Sequence, residues 1–318
     1  MLSPRQALHY ATIAGDDRAR AQALSALAPH LPEALIGEAL EAARTIGNDR
    51  ARAQALGALA PHLPEADRRA VLGKVLEAAQ AIGDNWMRAQ ALGTLAPHLP
   101  EALIGEALEV ARVIVNDRAR AQALGALAPH LPKALIGKAL EAARAIGGNG
   151  ARAQALGALA PHLPKALIGK ALEADQAIDH DGARAQALGA LAPHLPEALI
   201  GKALEAVQAI GHDRARAEAL GALAPHLPEA LIGEALEAVQ AIGHDRARAE
   251  ALGALAPHLP EPAQGAALHC FVSIAGKLTR PNLLIHLANF IQILAKLEGL
   301  DGLREARRAI LDVARWFP

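Results

Sequence analysis

Aromatic side chains make up only 2% of this 318-residue chain, and Cys270 is its single cysteine. With so few rings, helices must pack closely through small side chains, and a lone thiol excludes an intrachain disulfide. Neither sign of charge is in excess. Thirty-two Lys and Arg against 33 Asp and Glu leave a formal net charge of −1, so no global field draws nucleic acid or an anionic membrane. The stretch from Met1 to Asp17 lacks a basic segment followed by an apolar one, which gives a cytoplasmic expectation. The most apolar segment, 283–297, is interrupted by His286, Asn289 and Gln292 and is too short to span a bilayer; it reads as a buried helix. A P-loop, a nucleophile elbow, an HExxH and a CxxC are all missing, so the chain reads as no enzyme, with no cofactor.

What is present is Ala and Leu in abundance and one recurring phrase. Ala-Pro-His-Leu-Pro starts at Ala28, Ala60, Ala96, Ala128, Ala160, Ala192, Ala224 and Ala256, every 32 residues except for one interval of 36. A fixed period of this size marks a solenoid, in which each unit buries its apolar face only against its neighbours. The expectation is an all-α fold: a right-handed α-solenoid of two-helix repeats with a C-terminal helical cap. Residues 1–17 read as an N-terminal half-repeat cap, 18–260 as tandem helix pairs and 261–318 as the closing cap, with Phe271, Phe290, Trp316 and Phe317 sealing an Ala-rich stack.

Within the unit 149–181, helix A carries Leu156, Leu159 and Leu163 on one face, with Gln154 and Pro161 turned away. Pro161 bends or ends that helix, and Gly157 four residues earlier makes room for its ring. Pro164 suits the first position of helix B, whose apolar face is Leu167, Ile168, Ala171, Leu172 and Ile178. Asp17, Asp49, Asn85, Asp117, Asn149, Asp181, Asp213 and Asp245 are expected as N-caps of the A helices. Gly at 47, 83, 147, 211 and 243 is expected as a left-handed residue after helix B, with Val115 and Asp179 as exceptions. The longer interval predicts an extra helical turn near Asp67 to Ala70.

Three sets of side chains are candidates for function. Arg20, Arg52, Arg88, Arg120, Arg152, Arg184, Arg216 and Arg248 recur unchanged on the buried side of helix A, where a cation opposes the helix dipole and requires a partner. They read as a structural ladder, bonded to the N-cap acid of an adjacent repeat and to the carbonyls ending helix B; Asp175 is expected to join Arg152 or Arg184. On the exposed side, Arg50, Trp86, Met87 and Arg118 in the first turn, with Gln54, Gln90 and Gln122 one turn on, form a candidate partner-binding face. Lys133, Lys138, Lys165, Lys170 and Lys202 on helix B form an alternative basic patch. The eight histidines of the repeated phrase lie about one helix spacing apart, roughly 8 to 10 Å, too far for one metal ion.

The run Asp213, Arg214, Ala215, Arg216, Ala217, Glu218, Ala219, Leu220, Gly221 resembles one helix of short bacterial HEAT-like repeats. Tetratricopeptide repeats share the length and helix-pair design, and of their spacing Leu220 and Gly221 are met. The whole array, closing on Ala-Ile-Leu-Asp-Val-Ala-Arg-Trp-Phe-Pro, is similar to the repeat tails of bacterial NLR-like (STAND) signalling proteins, which implies a sensor or scaffold role. The expected function is a non-catalytic scaffold that binds a protein or peptide on its concave surface. The alternative is a nucleic-acid-binding solenoid using the central lysines, which a steep loss of binding with rising salt would favour; for the arginine ladder a nucleic-acid role is disfavoured by the absence of an aromatic stacking platform.

Overall fold

The computed structural model of the chain describes residues 2–63, 68–279, 281–291, 293–297, 304 and 308. Among the described residues there are helices and turns and no strand. The chain divides into two units, Met1–Leu167 and Ile168–Pro318. In the first, α1 (Pro4–Thr12) is followed by the A helices α2 (Asp17–Leu27), α4 (Asp49–Leu59), α6 (Asn85–Leu95), α8 (Asp117–Leu127) and α10 (Asn149–Leu159). They alternate with the B helices α3 (Glu33–Arg44), α5 (Arg68–Gln80), α7 (Glu101–Arg112) and α9 (Lys133–Arg144). The helix α11 (Lys165–Gln176) leads into the second unit, with A helices α12 (Asp181–Leu191), α14 (Asp213–Leu223) and α16 (Asp245–Leu255). Its other B helices are α13 (Glu197–Gln208) and α15 (Ile232–Gln240), and α17 (Glu261–Ala275) closes the regular series. The fold is an α-solenoid of helix pairs.

The first helix starts where local chemistry allows it. Ser3 and Gln6 form a reciprocal capping box, and Pro4 takes the first turn, where no N–H is needed. Each A helix ends at the Leu before Ala-Pro-His, and those three residues tighten into a 3-10 turn, as at Ala28–His30 and Ala160–His162. The proline ring forbids a further α turn and the 3-10 turn satisfies the last carbonyls. The second proline of the phrase stands at the N-cap of helix B, one residue before the expected first position: Pro32 has φ −60° and ψ 148°, and the helix begins at Glu33.

Within each unit the core is built of Leu, Ile and Ala. In one repeat Ala153, Leu156, Leu159, Ala160 and Leu163 are buried. From helix B, Ile168, Ala171, Leu172 and Ile178 are buried as well. Within each unit neighbouring A helices lie against one another more closely than neighbouring B helices do. The glycine four residues before the proline makes this possible. A Cβ on Gly125 would lie 3.2 Å from the Ala158 Cβ, and one on Gly57 only 2.9 Å from Thr94 Oγ1. Close approach between A helices, beyond relief for a proline ring, is therefore what these glycines supply.

Two sequence expectations about loop chemistry are corrected. The N-cap is the residue before the repeated Asp: Asp16, Asn48, Asp84 and Asn116 accept the N–H three residues on, as in Ala19 N–H to Asp16 Oδ1 at 2.7 Å. His180 and His212 do the same through Nδ1, accepting from Ala183 and Ala215. The repeated Asp occupies the first helical position instead, and its carboxylate reaches the loop that follows helix B of its own pair. Asp17 accepts from the Asn48 N–H at 2.6 Å, Asp117 from Gly148 at 2.7 Å, Asp181 from His212 at 2.7 Å and Asp213 from His244 at 2.8 Å. Asp49 accepts from both Gly83 and Asp84.

None of the loop glycines has a left-handed backbone. At most of them the carboxylate comes close: a Cβ on Gly47, Gly147, Gly211 or Gly243 would lie 3.2 to 3.4 Å from an Asp Oδ2, and one on Gly83 3.5 Å, whereas Gly15, which precedes the first repeated Asp, has nothing within 4 Å. The two exceptions obey the same rule. Val115 follows the pair that begins with Asn85, whose Oδ1 accepts the Val115 N–H at a longer 3.2 Å, and Asp179 follows the pair that begins with Asn149. Asp goes with Gly, and Asn goes with a side chain.

At the C-terminal end Phe271 and Phe290 stack with ring centroids 4.7 Å apart, both buried. The segment expected as a buried helix is helical at 281–291 and 293–297, but only one side is covered. His286, Phe290 and Ile293 face inward, whereas Leu284, Ile285, Ile291 and Leu297 are exposed. Polarity does not mark the covered side, since His286 is on it and four Leu and Ile side chains are not. Trp316, Phe317 and the expected third helix of the cap lie outside the described residues, as do 64–67 of the lengthened repeat.

Candidate binding face

On an A helix, positions four apart share a face, so the second residue and the sixth stand one above the other. In the first unit these are Arg18 over Gln22, Arg50 over Gln54, Trp86 over Gln90 and Arg118 over Gln122, all exposed. Two grooves run between these helices. One of about 630 Å³ is lined by Arg18, Gln22, Arg50 and Gln54 together with Asp16 and Asn48. The next, of about 240 Å³, is lined by Arg50, Gln54, Gln90 and Thr94. Arg50 and Gln54 line both, so these α4 side chains stand between two neighbouring depressions, one toward α2 and one toward α6. Thr94 was missed in the sequence, where its signal is a single departure from Ala at the position of Ala58 and Ala126.

Among the described residues, the side chains of Arg18, Arg50, Arg118, Gln22, Gln54, Gln90 and Gln122 make no hydrogen bond or ion pair. Trp86 is 44% exposed at the centre of the row. Met87 beside it is half-buried, with its backbone N–H held by Asp84 Oδ1 at 2.9 Å. The second unit has an equivalent groove of about 510 Å³ lined by His212, Arg214, His244, Arg246 and Glu250. There the residue one turn on is acidic, and Glu250 binds Arg246 at 3.0 Å.

The other arginine series lies beneath this face. Arg152, Arg216 and Arg248 each donate from Nε to the Ile carbonyl six residues earlier at 2.8 Å, and Arg88 and Arg184 do so at 2.9 and 3.0 Å. Arg52 reaches Ile46 O at 3.0 Å. Arg216 also donates to Ala241 O at 3.1 Å, and Arg184 to Ala209 O at 3.4 Å, so one guanidinium spans two successive loops. The acid partner is the Asp three residues back on the same helix, not one from an adjacent repeat: Arg20 with Asp17, Arg52 with Asp49, Arg120 with Asp117 and Arg248 with Asp245. That Asp also offsets the cation in the first turn. The Asn48 N–H above all, with Arg20, holds the Asp17 carboxyl below the usual carboxylate range.

Asp175 makes no hydrogen bond to Arg184. Both its oxygens are sealed from solvent and unpartnered among the described residues, and burial pushes its pKa up to about 8 against a weak pull from Arg184. Lys133, Lys138, Lys165, Lys170 and Lys202 are all exposed on B helices. Lys202 shares a groove with Glu173 and Glu205, so the patch is interleaved with acid. The repeated histidines end the 3-10 turns, and among the described residues no three potential ligands gather as for a metal ion. No described helix is long and apolar enough to cross a membrane.

The architecture defines a helical-repeat solenoid of the kind found in karyopherin HEAT repeats. Solved structures of Kap121p are similar to it at 15% identity over 98% of this chain. The TM-score is 0.65 for Kap121p itself and 0.68 for the structures bound to Pho4p and to the SUMO protease Ulp1p. The chain spans about two-fifths of the length of those proteins, from 39% to 40%. No family model and no curated protein matches the sequence.

Proposed function

We propose that the chain is a non-catalytic scaffold that binds a protein or peptide along the exposed face of its A helices. The observation that carries this is the pair of neighbouring grooves over α2, α4 and α6, lined by Arg and Gln side chains without partners among the described residues, with exposed Trp86 on the same helix as Gln90 and Thr94. A half-exposed Trp among arginines is the composition of an interface anchor. The closer packing of A helices than of B helices within each unit supports reading this face as the concave side, where solenoids hold extended partners. Kap121p, similar in fold, is solved with Pho4p and with Ulp1p bound. A cytoplasmic place in a larger bacterial signalling protein belongs to the same proposal. Nucleic acid on the helix B lysines is the weaker reading, since Glu173 and Glu205 sit among them.

The test is selection of a displayed random-peptide library on the whole chain, followed by affinity measurement on Trp86→Ala. Enriched peptides are expected to bind at least about tenfold more weakly to the variant, the loss typical of an anchor, with an unchanged melting temperature. Equal binding with a lowered melting temperature would show that Trp86 is packing and the face is not the site.

A further inference from the structure

Resting on that reading, we infer that the occupant of the first unit's face is an extended acidic segment of polypeptide. The glutamines hold its main chain and the first-turn arginines hold its carboxylates. A carboxamide presents both a donor and an acceptor, which is what a peptide group also presents, so a column of glutamines can bond a backbone whatever side chains it carries. Gln22, Gln54, Gln90, Gln122 and Gln154 form such a column, exposed on successive A helices of this unit.

The spacing fits an extended chain. Adjacent packed helices lie roughly 8 to 10 Å apart, and an extended peptide advances about 3.3 to 3.6 Å per residue. Each repeat then meets every second or third residue, and the five glutamines span about a dozen. A helical ligand, rising only about 1.5 Å per residue, would present too few free main-chain groups to use the column.

Charge sets the preference. Arg18, Arg50 and Arg118 stand beside the glutamines with no ion pair among the described residues. The acids nearest to them are already engaged: Asp16 and Asp84 cap helices, and Asp17 is bonded to Asn48 and Arg20. All five A helices of the unit also begin along this edge, adding positive potential from their first turns. The second unit provides the internal contrast. Where the first unit has Gln throughout, two of the second unit's three A helices have Glu218 and Glu250, α12 keeping Gln186, and Arg246 is paired with Glu250, so in that groove an acid stands one turn on from the arginine where the first unit has an amide. Nucleic acid would satisfy the arginines but not the glutamine column, and Trp86 is the only ring on this face of the first unit's A helices.

The experiment uses the whole chain and three unstructured peptides of about twelve residues, rich in Glu and Ser, in Gln and Ser, or in Lys and Ser, each with one central Leu. An oligothymidylate of equal length is the fourth probe. The acidic peptide is expected to bind at least about tenfold more tightly than the basic one at low salt, and to lose that advantage as salt rises. Arg50→Ala with Arg118→Ala should abolish the preference. Gln54→Ala with Gln90→Ala should weaken the acidic and neutral peptides alike. All four substitutions are on exposed side chains, and circular dichroism verifies that the variants fold.

If the neutral or basic peptide binds best and still depends on Trp86, the acidic ligand is wrong while the peptide-binding face stands. If no peptide binds, the acidic ligand is wrong and the face loses its support. Oligothymidylate bound as tightly as the acidic peptide would overturn the inference in favour of phosphate.

Discussion

Replacing Asp175 by Val removes a buried carboxyl from a position that is Ala43, Ala79, Ala111 and Ala143 in earlier repeats and Val207 and Val239 in later ones. Asp175 is 0% exposed and neither oxygen has a hydrogen-bond partner among the described residues. Burial raises its pKa from the ordinary 3.8 to about 8, so the folded chain keeps the proton where the unfolded chain has lost it. A raised folded value means that stability is fully present below about pH 4. It falls as pH rises and levels off above about pH 8. Each unit of pKa difference corresponds to about 1.4 kcal/mol, so at pH 7 the ceiling on the loss is about 4 kcal/mol. Local relaxation reduces it, and the Val variant is expected to be about 2 to 4 kcal/mol more stable at pH 7 and to lose most of that gain by pH 4. Asp175→Asn should flatten the pH dependence while retaining an unsatisfied amide, and so recover less. Denaturant midpoints followed by circular dichroism at a series of pH values provide the measurement. A Val variant no more stable than the parent at neutral pH, or a difference that does not change with pH, would refute the reasoning.

Arg216→Ala should cost about 1 to 3 kcal/mol, because the Ile210 and Ala241 carbonyls lose their donor, whereas exposed Arg214→Ala should stay within about 0.5 kcal/mol; thermal denaturation separates the two. Gly147→Val should destabilise by about 1 to 2 kcal/mol, since it drives a side chain against Asp117. Adding Asp117→Asn, the combination already present at Asn85 and Val115, should recover part of that loss, giving a coupling of about 0.5 kcal/mol or more in a double-mutant cycle.

The helix pairs were legible because Leu, Ala and Pro recur at helical spacing and every level of the pattern agrees. The cap and the glycine were misread for one reason. Two polar residues stand in succession at each helix start, such as Asp16 and Asp17 or Asn48 and Asn48's neighbour Asp49, and local capping rules fit either. The decisive contact lies 31 residues away, between Asp17 and Asn48. Its trace was nevertheless in the sequence, as the joint change of Asp and Gly to Asn85 and Val115. Arg20 and its equivalents are part-buried and most of them reach loop carbonyls, and a helical wheel carries no information on which loop a long side chain reaches. The groove was invisible, since it arises between helices and no single helix encodes it.

Because Asp17 and Gly47 belong to the same helix pair, as do Asp49 and Gly83, Asp117 and Gly147, Asp181 and Gly211, and Asp213 and Gly243, each of these pairs brings both halves of its own clasp. A gene that gains or loses a whole pair by unequal exchange therefore never leaves half a clasp behind, and Asn85 with Val115 travels as a matched set just as Asp17 with Gly47 does. Length is a freely adjustable property of such a chain. A cut that falls between a repeated Asp and the glycine of its own pair would instead join mismatched halves.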